Sequence, residues 1–146
     1  MQLVVQDLPF DNLFQRIIYA FQKLSEKAIK ELQKRLEEEQ QKKEEEKDFI
    51  LCRYCSNRIT TIDFIIEVEG QYRHTFTNPS GLTFQIGCFS NANGCLNQGI
   101  PTFDFTWFSN YSWNYAICSN CNAHLGWFYQ SDENHSFYGL ILDNLI

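Results

Sequence analysis

From Asp48 onward the sequence contains no lysine, and Arg53, Arg58 and Arg73 are the only strong bases there. The 146-residue chain as a whole carries a formal net charge of −6, with a pI near 5.0. A nucleic-acid partner is therefore disfavoured, because binding a phosphate backbone draws on a basic face that releases counterions. Aromatic side chains acting as base-stacking platforms are disfavoured for the same reason, since such platforms line a positive groove. Long apolar runs are also lacking. No stretch reaches the roughly 18 consecutive apolar residues of a membrane span, and MQLVVQDLPF has no basic start followed by a long apolar core, as a signal peptide would. The expectation is a soluble protein of the cytoplasm, or of cytoplasm and nucleus, with no membrane partner. No internal repeat is present.

What is present falls into two parts. Pro9 and Asp11 precede a helical pattern with apolar residues at Leu13, Phe14, Ile17, Ile18, Phe21, Leu24, Ala28, Leu32 and Leu36. Asp11 is placed as an N-cap, and the three-to-four spacing defines one apolar stripe, to which Val4, Val5 and Leu8 add. Glu37 to Lys47, EEEQQKKEEEK, has no apolar residue and reads as a solvated helical end or a linker. A helix with one apolar face must cover something: the next domain, a second copy of itself, or a domain absent from this chain. Composition then changes. Eighteen of the 23 aromatic residues and all six cysteines follow Phe49. The boundaries are accordingly a helical arm, 1–48, and a domain, 49–146.

The domain reads as β. Ile62–Val68 and Tyr72–Thr77 form a hairpin-like pair around Gly70. Asn78-Pro79-Ser80-Gly81 has proline and glycine where a tight turn wants them, and Leu82–Phe89 is the next strand. Ser90–Pro101, rich in Asn and Gly, is expected as a loop. Further strands are placed at Phe103–Trp107, Ser112–Ile117, Leu125–Gln130 and Ser136–Leu142.

Two C-x-x-C knuckles, Cys52/Cys55 and Cys118/Cys121, stand 62 residues apart. Each lets two thiolates reach one ion, and four thiolates make a closed tetrahedral zinc site with no open position, hence structural and not catalytic. A redox C-x-x-C finds no βαβ pattern around either pair. Cys88 and Cys95 lack a paired spacing and read as buried free thiols. His124, three residues after Cys121, reads as a hydrogen-bonded strand histidine, with a Cys₃His ligand set as the alternative.

The 23 residues from Phe105 to Trp127 hold all three tryptophans beside the second knuckle. Composition alone favours a packed core over a pocket, because aromatic clusters in β domains are usually packing. The ordered motifs around them weigh the other way: Cys52-x-x-Cys55, Asn78-Pro79-x-Gly81, Gly99-x-Pro101-Thr102, Thr106-Trp107-Phe108-x-x-Tyr111-x-Trp113, Cys118-x-x-Cys121-x-x-His124-x-Gly126-Trp127 and Phe137-Tyr138-Gly139-Leu140. In this order and spacing, residues 49–146 resemble the thalidomide-binding (CULT) domain of the cereblon family.

The resemblance implies a zinc-pinned β-tent of two antiparallel sheets behind a long N-terminal α-helix. It further implies a non-enzymatic module that holds a cyclic imide, such as a glutarimide or dihydrouracil ring or a cyclic imide at a protein C-terminus. The cage walls would be Trp107, Trp113 and Trp127, with backbone groups of Phe105 and Trp107 on the imide, Thr106 between them, Tyr129 as the floor and Asn78 at the exposed part of the ligand. Phe105 stands where animal members carry histidine, Thr106 replaces the usual serine, and Ser109-Asn110 replaces Pro-Gly. The family also has a Lon-like domain whose helical bundle docks to a ubiquitin-ligase adaptor. That region is not matched here, apart from a weak likeness of Leu8–Lys34 to the last bundle helix.

Two other classes remain in view. One is a structural or protein-interaction zinc module, self-associating through the arm, in which the tryptophans are packing. The other is an enzyme like methionine sulfoxide reductase B, which shares Cys121-x-x-His124-Leu125-Gly126. It needs a nucleophilic thiol after the second knuckle, and no cysteine follows Cys121.

Overall fold

The computed structural model describes residues 13–45 and 47–146. The N-cap expected at Asp11 and the apolar Val4, Val5 and Leu8 lie outside them. The chain divides between Lys47 and Asp48 into two units.

In the first unit, helix α1 runs over Leu13–Glu45. Its 33 residues include no glycine or proline, so nothing interrupts the ladder and the charge run continues as helix. Pairs one turn apart lace the polar face: Lys23–Glu26 at 3.4 Å, Lys34–Glu38 at 3.6 Å and Lys43–Glu39 at 3.0 Å. All are exposed, so each adds only about 0.2–0.5 kcal/mol. No residue of α1 is buried, and Phe21 and Leu24 are 69% and 64% exposed.

The second unit is mainly β. Among the described residues, eight strands form two antiparallel sheets: β1 (Phe49–Leu51) with β2 (Arg58–Thr61), and a six-stranded sheet in the order β3-β4-β8-β7-β6-β5. The members of the larger sheet are β3 (Arg73–Thr77), β4 (Thr83–Phe89), β5 (Cys95–Thr102), β6 (Tyr111–Cys118), β7 (His124–Ser131) and β8 (Ser136–Ile141). Alternation along these strands sends side chains to two faces with different tasks. One face carries Phe89, Ala116, Cys118, Leu125 and Leu140, which pack with Cys52, Ile59 and Leu145 into a core that includes the β1-β2 side of the domain. The other face carries Ile86, Trp127, Tyr129, Phe137 and Ile141, closed by Phe108 from the loop between β5 and β6.

Four sequence expectations are corrected. Ile62–Val68 is not a strand: Ile62–Phe64 is a turn of 3-10 helix, and residues 64–66 then run beside the end of β4, with Ile66 N–H bonded to the Cys88 carbonyl at 3.0 Å. The hairpin around Gly70 shrinks to a tight turn closed by reciprocal Val68 and Gln71 bonds. The Asn/Gly-rich loop Ser90–Pro101 is largely strand, because β5 finds its partner in β6, with an irregularity between Gln98 and Thr102 where Gly99 has φ +92°. Phe103–Trp107 is a loop and not a strand. There Phe105 adopts φ 55° and Thr106 N–H closes a turn on the Phe103 carbonyl at 3.2 Å. The apolar alternation of FDFTW imitates a strand, but its residues have no neighbouring edge to pair with. The short pair β1 and β2, on either side of the first knuckle, was not anticipated.

Candidate metal centre and aromatic pocket

The two knuckles fold alike. In the first, Cys52 O accepts from Ser56 N–H at 2.8 Å and Cys52 N–H donates to Asn57 O at 2.8 Å. In the second, Cys118 O accepts from Asn122 N–H and Cys118 N–H donates to Ala123 O, both at 2.9 Å. Ser56 and Asn122, each four residues after the first cysteine, occupy the left-handed region at φ 61° and 60°. That turn folds the second cysteine back beside the first.

Brought together from opposite ends of the domain, the four Sγ atoms of Cys52, Cys55, Cys118 and Cys121 lie within 4.8 Å of one another. The pairs Cys52–Cys121 and Cys55–Cys118 are 3.7 and 3.6 Å apart. Sulfurs about 2.3 Å from a central zinc would form a tetrahedron with edges of about 3.8 Å, so the cluster has the dimensions of a Cys₄ site and could hold a metal ion, consistent with zinc. The Asn57 side chain reaches Cys118 Sγ at 3.7 Å. The Asn120 side chain and Asn57 backbone N–H hold Cys55 down at about 6. Despite the lowering effect of the Ala123 backbone N–H, desolvation and the neighbouring thiols push Cys121 up to about 12. One thiolate, that of Cys55, therefore forms readily, while Cys52, raised by burial, and Cys121 resist joining it, the behaviour of a cluster that a cation must neutralise. His124 is outside this cluster; its Nε2 lies 2.9 Å from the Gly126 carbonyl. Cys88 is buried in the core of the other sheet face, whereas Cys95, opposite Cys118 across β5 and β6, packs beside Cys52 and Cys118 without joining the four-sulfur set; burial raises both thiols to about 12.

On the opposite face of the large sheet lies a cavity of about 400 Å³, the size of a pocket for a small organic molecule. Asn78, Phe105, Trp107, Trp113, Trp127 and Tyr129 all line it, whereas Thr106 does not. The Thr106 hydroxyl donates within the loop, to the carbonyls of Tyr111 at 2.8 Å and Phe108 at 3.2 Å, and so fixes the backbone that presents Phe105 and Trp107. Trp107 and Trp127 meet nearly at right angles, ring centroids 4.7 Å apart. Phe76 stacks on Trp107 from behind at 5.0 Å. Trp113 is anchored by Nε1–H to the Asp104 carbonyl at 2.8 Å. Tyr129 is 1% exposed, and burial raises its phenol well above the usual range. Asn78 turns its Oδ1 to the Leu82 N–H at 2.9 Å, holding the β3-β4 turn.

Sequence reasoning missed Tyr115, His124, Phe84 and Leu82 as lining residues. Tyr115 was within reach, because strand alternation puts it on the face of Trp113. Phe84 comes from a strand that is not adjacent to β7 and Leu82 from the turn that precedes that strand, and only the sheet order places them there.

These features define a class: a β domain closed by two C-x-x-C knuckles whose four cysteines could hold a metal ion, with an aromatic pocket on the far face of its larger sheet. Comparison with curated proteins finds "Protein cereblon" of Drosophila virilis, 26% identical over 96 residues, covering 61% of this chain and 15% of that protein. The cereblons of Drosophila grimshawi (27% over 96 residues) and Drosophila willistoni (25% over 100 residues) each cover 61% of the chain, and 14% and 16% of their own lengths. No family model matches the chain. These matches support the cereblon family, and they span only about a seventh of the length of the relatives.

Proposed function

We propose that residues 49–146 form a zinc-stabilised module that captures cyclic imides in the cage of Trp107, Trp113 and Trp127, with no catalytic step. The observation that carries this reading is the backbone at the cavity wall. Among the described residues, the Phe105 carbonyl and the Trp107 N–H make no hydrogen bond within the protein, although both residues line the cavity. An acceptor and a donor two residues apart complement the N–H and C=O of an imide edge. The tryptophan walls strip water from the ring while those two groups replace its hydrogen bonds. Tyr129 supplies the floor. The Cys₄ cluster, holding zinc, ties Cys52 to β6 and so steadies the strand that carries Trp113. A sulfoxide-reductase reading finds no support, because no cysteine lines the cavity among the described residues.

At the level of the whole protein, the family reading makes the module a substrate receptor for a ubiquitin ligase, its ligand being a free cyclic imide or one borne by a protein. The test is isothermal titration of the zinc-loaded chain with glutarimide. Saturable binding is expected, weakened at least tenfold in Trp107→Ala, since truncating a buried aromatic anchor costs on the order of 2 kcal/mol or more. Absence of heat at millimolar ligand, or unchanged affinity in the variant, would leave the tryptophans as packing.

A further inference from the structure

A fifth sulfur stands against the four-cysteine cluster. Cys95 opens β5 directly opposite Cys118 on β6, and both pack with Cys52 in one buried core. Its place is rigid. Gly94 before it leaves no room for a β-carbon against the Arg58 carbonyl, and the Gly94 N–H donates to the Ile59 carbonyl at 3.0 Å.

The hydrogen bonds decide what kind of pair this is. Cys118 N–H donates to the Ala123 carbonyl and its carbonyl accepts from Asn122 N–H, both in the turn toward β7, while Cys95 N–H donates to the Ala92 carbonyl at 3.0 Å. The bond between the strands falls one residue along, from Ser119 N–H to the Gly94 carbonyl at 2.9 Å. Cys95 and Cys118 are therefore a non-hydrogen-bonded antiparallel pair, the kind whose α-carbons come to about 4.5 Å and whose side chains lie closest. A disulfide spans α-carbons about 4.4–6.8 Å apart, so rotation of the two side chains joins these sulfurs with little shift of backbone. Cys88, also buried, faces Gly139 instead.

We propose that Cys95 is a redox partner of the metal cluster: under a peroxide it closes a disulfide with Cys118 and so removes that sulfur from the metal-binding set. Solvent reaches the cluster at Cys121, which is exposed, whereas Cys52 and Cys118 are fully buried. Hydrogen peroxide converts the Cys121 thiol to a sulfenic acid: the O–O bond breaks, an S–O bond forms and water leaves. The Cys118 thiol, whose sulfur lies within 4.8 Å, displaces the hydroxyl as a second water and forms Cys118–Cys121. Cys95 then attacks the Cys118 sulfur, and Cys121 departs with the proton that Cys95 gives up. Two thiols lose two electrons and two protons, and one peroxide becomes two waters. Strand pairing holds Cys95 beside Cys118 throughout, so the bridge ends there, while Cys121 sits in a turn. None of this depends on what the aromatic cavity binds.

Peptide mapping of the zinc-loaded chain after hydrogen peroxide, with free thiols alkylated in denaturant before digestion, tests the bridge, and a chromogenic chelator follows the zinc released. A Cys95–Cys118 peptide pair is expected, appearing as zinc is lost and disappearing on reduction with dithiothreitol. The Cys88 thiol stays free, which separates this reaction from oxidation of an unfolded chain. Bridges confined to Cys52, Cys55, Cys118 and Cys121, or Cys95 recovered fully alkylated, overturn the proposal. So does oxidation of Cys88 alongside Cys95. In the zinc-free chain the bridge should form faster, because nothing holds Cys118 to the cluster, and a bridge that forms no faster overturns the link to the metal.

Discussion

Gly126 on β7 and Gly139 on β8 pass so close that a β-carbon on Gly126 would overlap the Gly139 carbonyl oxygen. Gly126 also holds φ +152°, beside the irregularity where β6 and β7 lose register between Ala116 and Ile117. The approach sets Trp127 over Gly139, whose own missing side chain makes room for the Tyr129 ring, 3.1 Å from where a β-carbon would stand. Two absent side chains thus shape the floor of the pocket.

Gly126→Ala is expected to destabilise the zinc-loaded chain by about 3 kcal/mol or more, because backbone strain adds to a clash with main chain that cannot rotate away. Denaturant unfolding measures it. A change within about 0.5 kcal/mol would mean that the two strands separate freely.

Asn110 occupies φ 68° at the loop position where the family pattern has glycine. Asparagine is the side chain that tolerates the left-handed region best, so the departure from Pro-Gly preserves the turn that leads into β6. Asn110→Gly should be neutral within about 0.5 kcal/mol, while Asn110→Val should cost about 1–2 kcal/mol. Thermal unfolding of the two variants side by side checks the order, and equal melting points would contradict it.

Metal uptake should release protons. With Cys55 ionising at about 6, Cys52 raised by burial and Cys121 held up to about 12, Cys52 and Cys121 still hold their protons near pH 7.5 in the metal-free cluster. Zinc binding should then expel at least about two protons, read from the buffer dependence of the titration enthalpy. The sign for Cys55 follows from its lowered value. Its ionised form favours the folded metal-free domain above the ordinary thiol value of 9.0, and that contribution fades as pH falls toward about 6. Uptake with no proton release would show that the cluster is already ionised.

The arm makes its own prediction. Phe21 and Leu24 stand on the exposed apolar stripe of α1, and a second copy of the helix is one occupant that would cover it. Sedimentation of residues 1–146 should show self-association that Phe21→Glu/Leu24→Glu abolishes. A monomer at high micromolar concentration would rule this occupant out.

How much of this was legible in the sequence depends on how local each feature is. The two C-x-x-C knuckles are complete within a few residues, so spacing alone marked the four cysteines that come close enough to hold a metal ion, and the six-stranded sheet's β4, β6, β7 and β8 followed from alternation and turn residues. The helix α1 was equally plain, because a three-to-four apolar stripe without glycine or proline has few other solutions. Which face of the sheet would hold a pocket was not legible, since that depends on the order β3-β4-β8-β7-β6-β5, which brings Phe84 toward Trp127 from a strand that is not its neighbour. Nor could alternation distinguish Phe103–Trp107 as a loop, or Ser90–Pro101 as mostly strand, because a segment becomes a strand only when another edge offers it hydrogen bonds. The composition of the site was therefore written in the chain, and its walls were decided by pairing between distant strands.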